Sequence, residues 1–460
     1  MAFGFKVGTK PEVSFGSARK DAPGAAMRLI YNFLFLIGFV ISAPFYFLKM
    51  KRRGGWRAGF WQRFARYDSR LKTALTNRHT LWVHAVSVGE VNIATQLIKA
   101  LESRAPTLTV VVSTTTSTGM GELRKKLPAH VPKFYYPIDR RKYVSRALRV
   151  INPEAIVLVE AEIWPNFLWK AADRRIPTFL VNARLSDRSF GGYKRAAFLF
   201  RPIFRKFAGV GAQNESDAQR LISLGCRPEV VRIVGNLKFD AAQIPEKNAI
   251  RVDQLYSQVG VDDEALILVA GSTHDGEEAY LADVFLRLRE QFPKLFLTLV
   301  PRHFERSREV GSELEKRKIP FVYRTEISAT TRYEPGEIKA LVVNTTGELR
   351  HFYENATVVF VGKTLMAEGG QNPIEPGALG KAMVFGPNTQ NFQAIAAAFV
   401  NGHAARQEKD AAGIERAIAE LLASPAQREE LGKNAREVVR LNQGSIERTL
   451  DMILEQVKLD

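Results

Sequence analysis

The 460 residues exceed what one hydrophobic core usually supports, so two domains are expected, and hydrophobic residues at 46% are ample to fill them. The only cysteine, Cys226, excludes an intrachain disulfide, and no cluster of cysteine and histidine has the spacing of a zinc site. The formal charge of +18 is front-loaded: residues 1–72 hold fourteen Lys and Arg against three acids, a net of +11 that leaves +7 for the rest, which points to an anionic surface and away from a nucleic-acid groove.

In chain order, the first feature is the uncharged run 29–48 (LIYNFLFLIGFVISAPFYFL), about the length of a membrane-spanning helix. Lys49, Lys51, Arg52 and Arg53 bound it, so the positive-inside rule keeps the long carboxyl-terminal part cytoplasmic. A cleaved signal peptide fits less well, because the small-residue pair Ser42 and Ala43 precedes Pro44; a buried helix of a soluble core is the other alternative. Trp56, Phe60, Trp61, Phe64 and Tyr67 then fall near one helical face, interleaved with Arg57, Arg63, Arg66 and Arg70. Such a stripe either lies in the headgroup layer or packs on the first domain. Residues 1–72 thus read as a basic segment carrying a membrane anchor.

From residue 81 strands and helices alternate, as in doubly wound α/β units. Strands are expected at 81–87, 108–113, 133–136, 155–159, 178–182, 209–213 and 231–235. The stretch Leu81 to Glu90 (LWVHAVSVGE) ends a β-rich run on a glycine, a carboxylate and a helix. Ligand crevices of open parallel sheets lie where strands end and helices begin, which makes Glu90 a catalytic candidate. Ser87 with Glu90 also spells a capping box, in which the glutamate only satisfies backbone donors. Thr114 to Gly119 (TTTSTG) has two readings, phosphate contact or hydroxyls serving their own backbone. Glu160 and Glu162 end a strand, and their alternate spacing sends them to opposite faces, so one of the two is expected in the cleft.

Residues 241–262 are polar without a sustained strand and read as the connection between a first domain, 73–245, and a second, 246–460. In the second, strands are expected at 265–270, 295–300, 320–323, 340–344, 357–361 and 382–385, with helices from Ala411 onward. Gly271 to Thr273, Pro301 to His303, Thr346 to Leu349 and Gly369 to Glu375 all follow strands. Glycines permit close backbone approach, Arg302 offers planar donors, and helix starts present free N–H groups. Four such loops on one sheet edge indicate a nucleotide-binding rim, and two tandem sheets a cleft.

The ordered motifs HAVSVGE (84–90), STTTSTG (113–119), EAEIWPN (160–166), VNARLSDRS (181–189), GNLKFD (235–240), AGSTHDGEE (270–278), PRHFER (301–306), TTGEL (345–349) and GGQNPIEP (369–376) closely resemble those of the 3-deoxy-D-manno-octulosonic acid (Kdo) transferases of lipid A assembly. The resemblance spans roughly residues 28–440 and implies a GT-B fold, two Rossmann-like domains facing a cleft. It implies that the first domain takes the lipid acceptor, a lipid A precursor such as lipid IVA, and that the second takes CMP-Kdo. It assigns Glu90 as general base of an inverting transfer, and Glu160 and Lys238 as helpers of the transition state. Nucleotide contacts fall on Pro301, Arg302, Gly347, Glu348, Leu349, Asn372, Pro373, Ile374 and Glu375. Where the family usually has histidine this chain has Gln371, and Lys363 stands where a small residue is common.

No two aspartates are separated by a single residue, so the usual metal-holding pair of sugar transferases is missing, and departure assisted by cations and helix dipoles is expected with no metal or cofactor. His84, His274 and His303 are read as structural or substrate-orienting. The expected location is the cytoplasmic side of the inner membrane. Another GT-B enzyme using a UDP-sugar, or an inactive membrane-associated binding protein, are the alternatives.

Overall fold

Apolar runs too continuous to alternate are the mark of strands buried on both faces. In the first unit they become β1 (Thr80–His84), β2 (Thr109–Thr114), β3 (Lys133–Tyr135), β4 (Ala155–Val159), β5 (Thr178–Ala183), β6 (Gly209–Ala212) and β7 (Val231–Ile233). In this computed structural model, which describes residues 25–52, 57, 59–76, 79–160, 162–241 and 250–457, all seven pair in parallel in the order β3-β2-β1-β4-β5-β6-β7. The chain winds outward from β1 to β3, then returns to β4 on the other side of β1. The strand order therefore reverses between β1 and β4, and their carboxyl ends border the crevice.

The second unit repeats the plan with β8 (Leu266–Thr273), β9 (Leu295–Pro301), β10 (Phe321–Tyr323), β11 (Ala340–Val342), β12 (Val358–Val361), β13 (Met383–Phe385) and β14 (Arg406–Gln407). Its order is β10-β11-β9-β8-β12-β13-β14, again parallel throughout, with the reversal between β8 and β12. The two-residue β14 has no periodic signal in the sequence.

The compact units divide elsewhere than at 245 and 246. The first runs to Leu237 and also takes in Gly444–Asp460; the second is Lys238–Gln443. The last helix, Ser445–Leu454, buries Leu450, Met452 and Ile453 in the core that holds Val91, Ile98 and Val181, and Arg104 pairs with Glu447 and Asp451. The expected polar connection is partly structured as well. Residues 242–249 lie outside the described residues, but Val252–Gln258 is a helix whose Val252, Leu255 and Tyr256 are buried in the second unit. A helical stripe of three apolar positions was hidden there by polar neighbours.

Among the described residues, one helix is long and apolar enough to cross a membrane: Ala26–Leu48, within the helix Ala25–Arg52. Residues 1–24, 53–56 and 58 of the basic segment lie outside the described residues. The aromatic stripe that follows is not one continuous helix. Phe60–Phe64 forms a short 3-10 helix, Arg63 donates to the Thr115 carbonyl at 2.6 Å and lies over the Tyr135 ring, and Phe64 meets Tyr143 edge-on. Burial lowers the pKa of the Arg63 guanidinium from its ordinary value, and Tyr67 is buried in the core, so these residues pack on the first unit. Trp61 stays 57% exposed.

Candidate active site

Glu90 lies in the first turn of the helix Val88–Arg104, directly after β1, and is 8% exposed. Its two carboxylate oxygens accept from the backbone N–H groups of Val86 at 2.8 Å and Ser87 at 3.3 Å, while its own N–H donates to Ser87 Oγ at 3.2 Å. The capping box is therefore formed. It also fixes the carboxylate rigidly at the carboxyl end of β1, where a reacting group in this fold belongs. Burial raises the pKa of Glu90; the bonds from Val86 and Ser87 oppose this, and the nearby charges of Glu160 and Glu162 add to the rise.

The TTTSTG loop buttresses this turn. Thr114 Oγ1 and Thr116 Oγ1 both donate to the Val86 carbonyl, at 3.2 and 2.9 Å, and Thr116 Oγ1 also accepts from Gly119 N–H as the cap of the helix Ser117–Lys126. A side chain at Gly119 would sit 2.5 Å from Thr114 Oγ1 and 3.1 Å from the Val86 carbonyl, so the position admits no Cβ. The hydroxyls at 114 and 116 thus serve the protein's own backbone. Beneath them, His84 is buried, stacks on Tyr136 at 3.9 Å and approaches Ser113 Oγ at 2.9 Å; burial brings its pKa down to about 3, so it is a neutral packing residue.

Glu160 follows β4 with φ +60°, a left-handed conformation that L side chains adopt at a cost. This turn breaks the strand alternation that was expected to separate Glu160 from Glu162. Alternation therefore does not carry through to Glu162, and the charges of both carboxylates raise the pKa of Glu90. Glu162 accepts from Trp164 Nε1 at 2.8 Å, and burial with the Glu160 charge raises its pKa. The EIWPN motif continues into a second fixed point, where the Asp139 carboxylate accepts from the backbone N–H groups of Asn166 at 3.0 Å and Phe167 at 2.8 Å; burial pushes Asp139 up to about 6.

VNAR and the GNL that precedes Lys238 meet through side-chain amides. Asn182, at φ +52°, accepts from Leu237 N–H at 3.1 Å, Gln213 Nε2 donates to its carbonyl, and Asn236 Nδ2 donates to Gln213 Oε1. These bonds fix the residue that precedes Lys238. Lys238 itself begins a short helix of the second unit, with Nζ 5.2 Å from the Phe392 ring centre.

In the second unit the loops singled out in the sequence follow adjacent strands. Arg302 follows β9, Gly347 to Leu349 follow β11, and Asn372 to Glu375 follow β12; these three strands and β8 are the adjacent β11-β9-β8-β12. Pro301 is the last residue of β9, and Arg302 is exposed, its N–H donating to the Thr273 carbonyl at 3.0 Å. Gly347 has φ +86°; Glu348 accepts from Thr345 Oγ1 at 2.6 Å and pairs with Arg324 at 3.1 Å. The Glu348 side chain thus secures its own loop. Asn372 Oδ1 accepts from Ile374 N–H at 3.1 Å, and Pro373 and Ile374 are buried. Glu375 is half-buried, and it is the second cause, after burial, of a raised pKa at the Tyr353 phenol. That phenol lies against β8, where a Cβ at Gly271 would be 1.9 Å from its oxygen.

The residue that organises this rim was not singled out in the sequence. Glu277 is completely buried, and its carboxylate accepts four backbone N–H bonds: Thr364 at 2.9 Å and Leu365 at 3.1 Å on one oxygen, Lys363 at 2.7 Å and His274 at 2.9 Å on the other. It ties the loop after β8 to the loop after β12. Lys363 adopts φ +58° in that clamp, which accounts for a small residue being the easier choice there. The available signal was an acid opening a helix directly after a strand end, the same signal that marked Glu90.

Residues 58–241 match the family described as 3-Deoxy-D-manno-octulosonic-acid transferase (kdotransferase), and residues 336–438 match glycosyl transferases group 1. The chain is 32% identical over 375 residues to the 3-deoxy-D-manno-octulosonic acid transferase of Haemophilus influenzae, covering 81% of this chain and 86% of that protein. It is 32% identical over 428 residues to the enzyme of the same name from Bordetella pertussis, covering 89% and 96%. The crystal structure of UDP-GlcNAc 2-epimerase from Neisseria meningitidis bound to UDP-GlcNAc is similar at a TM-score of 0.57 and 14% identity, over 82% of this chain and 100% of that one. At that identity the likeness shows the fold alone, two Rossmann-like units of the GT-B kind.

Proposed function

The chain belongs to the 3-deoxy-D-manno-octulosonic acid (Kdo) transferases and is a glycosyltransferase, and on that premise we propose that it moves Kdo from CMP-Kdo to a lipid A precursor of the lipid IVA type, with inversion and with Glu90 as general base. The observation that carries this is the Glu90 carboxylate itself, buried, held by two backbone donors and pushed towards protonation by its surroundings. A base with a raised pKa accepts a proton more strongly in the transition state. A hydroxyl of the acceptor attacks the anomeric carbon of Kdo, Glu90 takes its proton, and the bond to the CMP phosphate breaks on the opposite face.

The departing phosphate gains negative charge and needs donors in place beforehand. Arg302 supplies planar guanidinium donors, Lys238 a point charge, and the backbone at Gly347 to Leu349 and Asn372 to Glu375 further N–H groups. Glu160 is assigned to the sugar side, beside Glu90. The reaction is assigned to the cytoplasmic face of the inner membrane, where a lipid-embedded acceptor is met, and the apolar helix Ala25–Arg52 supports that reading. The test is Glu90→Gln, which keeps size and one acceptor oxygen but removes the base. Single-turnover transfer is expected to fall by about 100-fold or more, the scale of general-base catalysis, while CMP affinity by calorimetry stays unchanged. Turnover within a few fold of the unaltered protein would leave Glu90 with its capping role alone.

A further inference from the structure

Both ends of the helix Ala25–Arg52 touch the first unit. Near its start, Arg28 makes two bonds to the Asp173 carboxylate at 3.0 and 3.1 Å, Tyr31 donates to Asp139 at 2.8 Å, and Asn32 and Asn166 exchange side-chain amide bonds at 3.2 and 3.1 Å. The Tyr31 ring stands edge-on to Trp169 at 5.5 Å. Near its other end, the Phe47 ring meets Phe60, 6.4 Å between centres, on the 3-10 helix that is itself bonded to the unit through Arg63. Phe47 is nineteen residues after Arg28, about 28 Å along a helix axis at 1.5 Å per residue. Between them, Phe35, Phe39, Ser42 and Ala43 continue one half-buried stripe, whereas Leu29, Phe33, Val40, Ile41, Phe45 and Leu48 are all more than half exposed on the other face.

A helix that crosses a bilayer has its ends about 30 Å apart along the membrane normal, with hydrocarbon between. The first unit cannot follow it there, because the surface that receives Arg28 carries Lys170 and Asp173. We propose that this helix does not cross the bilayer but lies in the plane of one leaflet, clamped along the first unit by Arg28, Tyr31 and Asn32, with its outer apolar face in the lipid. The occupant of that face is an anionic lipid surface. The net +11 of the first 72 residues is one reason. Another is the helix Ala197–Phe204, which packs on the same helix Pro165–Asp173 that receives the anchor; its Phe198 is 71% exposed, and no acid occurs between Asp187 and Glu215 while Arg188, Lys194, Arg195, Arg201 and Arg205 are exposed there. The proposal rests on the membrane-anchor reading above and adds its topology. The helix then holds the unit at one fixed tilt against the leaflet that contains the acceptor.

The test uses the full chain with Cys226→Ala and single cysteines at Ala26→Cys or Lys51→Cys, in sealed inside-out membrane vesicles probed with a membrane-impermeant maleimide. Both positions are expected to label from the outside to within about twofold of each other. Labelling of one of them only after the vesicles are permeabilised overturns the proposal. Leu29→Cys, Val40→Cys and Leu48→Cys carrying a fluorophore give a second measurement, with quenchers placed at the headgroup or mid-chain depth of phosphatidylglycerol-containing vesicles. Equal quenching profiles at the three sites support the in-plane helix; a deep Val40 between two shallow ends overturns it. Flotation of the same proteins separates the two claims, since a protein that fails to float overturns the anchor reading as well, and one that floats with its ends on opposite faces overturns only the topology.

Discussion

At Glu90 the protein sets burial and two neighbouring carboxylates against two backbone donors, and the first group prevails, so its pKa lies above the ordinary carboxylate value. Catalysis by the deprotonated form then gives kcat/KM an acid limb above the ordinary carboxylate range. Glu162 contributes by charge alone. Glu162→Gln removes that charge and keeps an acceptor for Trp164 Nε1, so the sign is fixed: the Glu90 pKa falls, and the acid limb moves to lower pH. A pH profile of kcat/KM for the variant checks this, and a limb that stays in place or rises would remove Glu162 from the site. The sequence placed Glu90 and Glu160 at strand ends but sent Glu160 and Glu162 to opposite faces, and alternation holds only while the backbone remains a strand. The left-handed turn at Glu160, which ends it, leaves no mark in a residue type that usually avoids that conformation.

The loops of the second unit show how an element acquires a shape that its own residues do not enforce. Four N–H groups, that of buried Thr364 and those of half-buried His274, Lys363 and Leu365, share the completely buried Glu277 carboxylate as acceptor. Glu277→Ala leaves them without it, at about 1 kcal/mol for a donor left unpaired, so a loss of about 2–3 kcal/mol in thermal unfolding is expected, with weaker CMP binding because the loop that carries Asn372 is released. A variant as stable as the unaltered protein would show that water replaces the carboxylate without loss. Arg302 is the contrasting case, with its side chain exposed. Arg302→Ala should leave stability unchanged and weaken CMP binding by about 1.5–3 kcal/mol, the range of a charge-assisted hydrogen bond; unaltered affinity by calorimetry would take Arg302 out of the site. Strand-helix alternation made the loops after β9, β11 and β12 legible in advance, since period and order carry that information. The clamp that joins two of them is a contact across 86 residues or more, which no local pattern contains. The helix Val252–Gln258 was missed for a related reason, its three buried positions being visible only once the core they enter is known.

At the scale of the whole molecule, two doubly wound units were readable from length and alternation, but their borders were not. The chain passes into the second unit at Lys238 and returns at Gly444, and the return depends on Leu450, Met452 and Ile453 fitting a core built some 300 residues earlier. Front-loaded charge and the apolar run marked the amino terminus as the membrane-facing part, while the polar residues within that run, Tyr31 and Asn32, gave no hint that their partners were Asp139 and Asn166. The central claim is the transfer of Kdo from CMP-Kdo to a lipid A precursor. Mass analysis of the lipid after incubating the purified full chain with CMP-Kdo and lipid IVA tests it most directly. The expected result is an acceptor heavier by whole Kdo residues, formed with CMP-Kdo and not with UDP-sugars. An unchanged lipid from protein that is folded and binds CMP, or a product formed from a UDP-sugar instead, would contradict it.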